Sequence, residues 1–197
     1  VTLNDDITTS GTSSNVAVTC SAGALTLADT KTMTSGGTTT LSAQSIASVA
    51  YTVTSAGAVA VTGPWTATGA LSVTSSGSTI TLNDDITTGG TTKDLTINAN
   101  GALALATNAD ALTASGVLTV SASTATSGAA TLTSTGNMAV TLTDKWLATS
   151  GNLALLSSAA LNLDGNLETA TTGDVTLTVT AACTFADGKS ITSAAAA

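Results

Sequence analysis

The stretch Thr2-Leu3-Asn4-Asp5-Asp6-Ile7-Thr8-Thr9 returns unchanged as Thr81-Leu82-Asn83-Asp84-Asp85-Ile86-Thr87-Thr88, 79 positions further on. An identity of this length at this distance marks an internal repeat. The match extends beyond the octapeptide. Val16 and Val18 answer to Leu95 and Ile97, Gly23-Ala24-Leu25 to Gly101-Ala102-Leu103 with a slip of one residue, and Met33-Thr34 to Leu112-Thr113. Trp65 with Leu71-Ser72-Val73 answers to Trp146 with Leu153-Ala154-Leu155. A third, degenerate copy runs from Leu161-Asn162-Leu163 through Val175-Thr176-Leu177 and Cys183-Thr184-Phe185 to Ile191. Residues 1–197 therefore read as a single unit holding copies at 1–79, 80–160 and 161–197, the last one partial.

A shorter pattern lies inside each copy. Pairs of apolar residues flank one small residue, as in Val16-Ala17-Val18, Leu25-Thr26-Leu27, Tyr51-Thr52-Val53, Leu95-Thr96-Ile97 and Leu118-Thr119-Val120. Alternation of this kind belongs to short strands with one buried face. Gly, Asn, Asp and Ser bound the pairs and turn the chain. Helical spacing is confined to the alanine run Ala194–Ala197. Short strands separated by turns fit either a sandwich or a solenoid. The long repeat selects the solenoid, because stacked coils set equivalent positions against equivalent neighbours. The expected fold is all-β, a right-handed parallel β-helix. At roughly 20 residues per coil, the repeat spans about four coils and the chain about ten. Stacked at about 4.8 Å per coil, they make a rod about 45–50 Å long.

Composition narrows the function. Aromatic residues make up 2% and charged residues 8%, against 43% hydrophobic. The apolar mass is Ala, Val, Leu and Ile, which suits thin, evenly filled layers. A Ser/Thr/Gly bias is a cue for disorder, but the mean hydropathy is positive and the apolar residues recur in register. The chain carries four Lys, no Arg and no His, for a net charge of −8. Phosphate has little to grip, so nucleic acid and anionic membrane surfaces are disfavoured as partners. No apolar run reaches the roughly 18 residues of a spanning helix, so membrane insertion is not expected. The chain lacks an initiator Met and a signal peptide and reads as an excised piece of a longer product. Cys20 and Cys183 form no metal-binding spacing. They would sit on coils too distant for a disulfide, and Cys183, aligned with Leu103 and Leu25, is expected in the core.

Two sets of residues stand out. Asp5-Asp6 and Asp84-Asp85 sit in Leu-Asn-Asp-Asp-Ile, and the third copy offers Leu163-Asp164-Gly165-Asn166-Leu167 in their place. Stacked acidic turns can gather oxygen ligands for calcium, the one cofactor the sequence raises. The competing reading is that Asn-Asp makes a corner, its side chains bonded to nearby backbone. Trp65 and Trp146 occupy equivalent positions. Either they are exposed contacts for a sugar or a neighbouring filament, or they plug a corner beneath a loop. Catalysis has little to draw on. Without His a Ser/His/Asp triad is impossible, and a single Glu (Glu168) and unpaired acids are a poor basis for glycan cleavage. The chain is not expected to be an enzyme.

Gly101-Ala102-Leu103-Ala104-Leu105 and Gly151-Asn152-Leu153-Ala154-Leu155, with the Thr-x-Leu-Asn runs, resemble the repeats of filamentous-haemagglutinin-type and autotransporter-passenger proteins of bacteria. The resemblance implies a parallel β-helix, an extracellular or cell-surface location, and adhesion to a surface or glycan receptor. Neither end of the chain reads as a polar cap, which solenoids need to stop coils pairing end to end. The ends are expected to stack on more of the same, either within a longer polypeptide or by self-association into a head-to-tail filament or fibre. Two other classes stay in view. Thr66-Ala67-Thr68, Thr79-Ile80-Thr81 and Thr131-Leu132-Thr133 suggest an ice- or surface-binding solenoid, although their middle residue reads as inward-facing. A polysaccharide-acting β-helix is disfavoured by the missing basic residues.

Overall fold

Alternate residues of the strands go inward, as the apolar pairs require. Strand Tyr51–Ser55 buries Tyr51, Val53 and Ser55 and leaves Thr52 and Thr54 outside, and Leu71–Ser75 and Leu118–Ala122 follow the same rule. The computed structural model describes residues 1–106, 110–170 and 173–193, and they form an all-β solenoid with no helix. The alanine run Ala194–Ala197 lies outside the described residues.

Three strands make one rung, and rungs stack in parallel. The second rung shows the plan: Ala24–Leu27 lies on a first face, Lys31–Ser35 on a second and Thr39–Ser42 on a third. The first face holds nine strands in chain order, from Thr2–Leu3 to Val175–Val179. The second and third faces join into one sheet because Met138–Ala148, in the seventh rung, runs unbroken across the corner between them, with a register shift between Thr141 and Lys145. The described residues thus form nine rungs, eight full turns from first to last, instead of about ten. The difference lies in the corners. Ile46, Trp65, Ile86, Leu112 and Leu132 stack directly on one another, at steps of 19, 21, 26 and 20 residues. Long corner segments lengthen individual coils beyond the expected 20 without adding a rung.

The repeat does not coincide with the coil. Leu3 lies on the first face, paired with Leu27, while its counterpart Leu82 lies on the third, paired with Val61 and Leu105. Ile7 is on the second face opposite Met33, and Ile86 is on the first between Trp65 and Leu112. The displacement is uniform. Eleven strands separate Thr2–Leu3 from Ile80–Leu82, Val16–Thr19 from Leu95–Ala99, and Lys31–Ser35 from Asp110–Ala114. With three strands per rung, eleven strands carry each copy three rungs along and two faces around. Stacked positions do face like neighbours, but those neighbours are not the repeat's own copies.

The core is a set of continuous ladders. On the second face Met33, Val53, Val73, Ile97, Val120, Val140 and Leu163 stack in register and are buried. Each fully buried Leu, Ile or Val contributes roughly 1.5–3 kcal/mol relative to exposure. Buried serines end the strands and spend their hydroxyls on corner carbonyls of the rung before. Ser55 Oγ donates to Gly37 O at 2.6 Å and Ser75 Oγ to Gly57 O at 2.7 Å. The corner before Trp65 depends on Gly63. Its φ is +103°, and a Cβ there would lie 2.0 Å from the Ala43 carbonyl oxygen, so no other residue fits.

The two end rungs differ from the rest. In the ninth, Cys183, Phe185 and Ile191 take the inward registers of Leu161, Leu163 and Leu167. Their partners are buried, yet Phe185 and Ile191 are each 41% exposed. Cys183, expected in the core, is exposed for the same reason: its orientation is inward, but no described rung covers it. In the first rung Leu3, Ile7 and Val18 are only partly buried. Cys20, on the first rung, is buried, and both cysteines are free.

Candidate functional site

The two Asp pairs are not brought together. Asp5-Asp6 turns the chain from first to second face in the first rung, and Asp84-Asp85 turns it from third to first face between the fourth and fifth. Both second aspartates do the same work. Asp6 Oδ1 accepts the backbone N–H of Thr32 at 2.7 Å, and Asp85 Oδ1 accepts that of Ala111 at 2.7 Å. Both donors belong to the next rung, so the carboxylate clamps rungs together instead of closing its own turn. The same clamp recurs where Asn15 accepts from Thr38, Asp94 from Val117, Asn152 from Asp174 and Asn166 from Ser190, at 2.8–2.9 Å. That ladder of Asn and Asp was not read from the sequence. Its signal was there, in Asn15, Asp94, Asn152 and Asn166, each standing directly before an apolar strand residue.

Charge separates the two corners. The Thr32 backbone N–H holds the Asp6 carboxyl below the usual carboxylate range, against the opposing effect of desolvation, and the Thr32 hydroxyl and Lys31 add to the lowering. Asp5 is almost fully exposed, 4.0 Å from Lys31 Nζ. Beside Asp84-Asp85 the next rung opens with Asp110, 3% exposed, whose Oδ2 has no partner. Burial pushes its carboxyl up to about 6; a hydrogen bond from the Ala106 backbone opposes this, and Asp85 and Asp84 reinforce it. Among the described residues no group of three or more His, Cys, Asp or Glu is placed to hold a metal ion.

Trp65 and Trp146 are fully buried, so neither indole offers a surface contact. Trp65 Nε1 donates to Ser48 Oγ at 2.9 Å and Trp146 Nε1 to Ser127 Oγ at 3.0 Å. Small neighbours make the room: Ala67 follows Trp65 inward, and Trp146 stacks directly on Ala125. Both indoles are core residues of strands, and the exposed-contact reading is withdrawn.

The outer surface holds features that sequence reasoning passed over. On the second face Thr32 and Thr34, Thr52 and Thr54, Ser72 and Thr74, Thr96 and Asn98, and Thr119 and Ser121 stack as two parallel columns. The strand repeat sets about 4.8 Å between rungs, and two residues of strand set about 6.6 Å between columns. Apart from Thr32, whose hydroxyl reaches Asp6 at 3.2 Å, these hydroxyls have no partner among the described residues. The recurrence at about 20 residues was visible in the sequence, whereas the Thr-x-Thr triplets singled out there lie on the other two faces.

Along the corner between first and second faces runs a groove of about 340 Å³ spanning the second to fifth rungs. One wall is the first hydroxyl column, Thr32, Thr52, Ser72 and Thr96. Tyr51 and Leu71 line it too, with Lys31 toward one end and Asp94 toward the other. Tyr51 is 2% exposed and its phenol oxygen has no hydrogen-bond partner; leaving such a group unmade costs about 1–3 kcal/mol. Burial raises its pKa, with Asp6 adding. Thr30 and Thr92, with φ of 55° and 53°, are the non-glycine residues in the left-handed region among those described. Thr30 lines one end of the groove, and Thr92 lies in the corner segment leading to Asp94 at the other. A β-branched residue held there is strained.

No family model, curated protein or solved structure matches the chain.

Proposed function

We propose that the chain is a structural and adhesive solenoid of the bacterial cell surface or extracellular space, without catalytic activity, that stacks end to end on further rungs of its own kind. The observation that carries this reading is the unbroken parallel stacking of nine rungs over continuous buried ladders. Parallel pairing propagates from rung to rung without a change of geometry, and head-to-tail contacts of that kind generate open filaments. The resemblance to haemagglutinin-type and autotransporter-passenger repeats points to the same setting. Electron microscopy and sedimentation across a concentration series test it. Growth of rods in length with concentration is the expected result; monodisperse short rods at the highest concentration would overturn it.

A second reading has one observation in its favour. The two free hydroxyl columns of the second face form the regular array that an ice- or crystal-binding surface requires. Thermal hysteresis is its measurement, and an unchanged freezing point removes it.

A further inference from the structure

We propose that the groove between the first and second faces binds a neutral, hydroxyl-rich polymer, a glycan chain laid along the rod axis. The inference deepens the adhesive reading but does not depend on filament formation, because the groove is complete within one chain.

Three observations converge on it. The groove crosses four rungs, so its long axis follows the rod, and it presents a hydroxyl at each rung, about 4.8 Å apart. That period is close to the length of one pyranose ring along a glycan. The hydroxyls of Thr52, Ser72 and Thr96 have no partner among the described residues, and each can donate and accept, as sugar hydroxyls do. Thr30 and Thr92 hold strained backbone in the segments at the two ends, a form of strain that collects at ligand clamps.

Charge and backbone chemistry choose among polymers. The chain carries −8, and Lys31 is set against Asp5 and Asp6, so a polyanionic glycan or nucleic acid is repelled. An extended peptide would need a free sheet edge to pair with. Here the strands beside the groove are already paired with the rungs on either side. A neutral glycan needs neither cation nor edge.

The test is calorimetric titration of the full chain, at a concentration where it is unassembled, with cellohexaose, xylohexaose, maltohexaose and chitohexaose, and with hexagalacturonate as the charged comparison. At least one neutral hexamer should bind, and Thr52→Val should weaken it about five- to tenfold, the effect of one hydrogen bond. Ser72→Ala, one rung along the same column, should weaken binding to a similar degree while leaving thermal stability unchanged. Thr126→Val, on the third face, should bind like the parent. Absence of binding by all four neutral hexamers, a preference for hexagalacturonate, or an unaltered Thr52→Val titration would overturn the proposal. None of these results bears on end-to-end assembly, which is read separately by sedimentation.

Discussion

The octapeptide Thr-Leu-Asn-Asp-Asp-Ile-Thr-Thr occurs twice, and the two corners it builds have little in common beyond their clamp. At the first corner Leu3 and Ile7 are half-covered and the strand of the next rung that stacks beside it begins with Lys31; at the second Leu82 and Ile86 are fully buried and the corresponding strand begins with Asp110. Lys31 and Asp110 are themselves repeat partners, 79 positions apart. Identical sequence therefore fixes the local bend and the hydrogen bond to the next rung. The rungs stacked on either side fix burial and the sign of the neighbouring charge. The lesson is that the repeat encodes strand and corner, while energy is assigned by position along the rod.

The sharpest way to break this comparison is to truncate the same residue in both corners. Ile86→Ala should cost about 2–5 kcal/mol in denaturant unfolding, the usual range for a fully buried Ile. Ile7→Ala should cost less than half as much, because its surroundings are open on one side. Equal losses would show that the end rung is as well covered as the middle.

The charge difference gives the next effect. Asp110 has its carboxyl raised to about 6 from an ordinary 3.8. Between those values the folded chain holds a proton that the unfolded chain has released, so this residue's contribution to stability is fully favourable below the window and declines as pH climbs through it. Asp110→Asn should leave melting temperature near the parent's at pH 4 and raise it by about a few degrees at pH 7. Asp110→Lys should make the second corner resemble the first and be stabilising at neutral pH. A parent and an Asn variant with parallel pH profiles would remove the assignment. Asp6 runs the opposite way: its carboxyl is lowered, so its support is present above the ordinary value and fades as pH falls through it.

The smallest effect isolates what the corners share. Asp6→Ala and Asp85→Ala each delete the acceptor of one amide, Thr32 N–H and Ala111 N–H respectively. Amide hydrogen exchange should speed up at Thr32 in one variant and at Ala111 in the other, with little change elsewhere. Protection unchanged at both amides would mean that the clamp is ornamental.

These contrasts also mark what the sequence could disclose. Period-two alternation in Leu71-Ser72-Val73 and its relatives reports directly on which side chains enter the core, since a strand has only two sides. It carries no information about which of three faces a strand occupies, so the eleven-strand offset was hidden. The coil count depended on corner length, as the 26-residue step from Ile86 to Leu112 shows, and turn residues signal a bend without its span. Burial of the two tryptophans rested on small residues supplied by other rungs, Ser48 and Ser127. The groove joins Lys31, Tyr51, Leu71 and Asp94, one from each of four coils, and could be assembled only once the stacking register was known. The exposure of Cys183 follows from what stands above it, which no alignment to Leu103 could tell.

Eleven and three share no common factor. A rod extended by tandem duplication of this unit would present any given loop at three azimuths in turn before returning to the first, a rung set of thirty-three strands later by the same count. Each duplication then acts as a screw operation that spreads one local motif around the circumference. A fibre grown in this way would meet a surface or a receptor with an equivalent patch whichever side it landed on, and avidity would build with length without any single patch being strengthened.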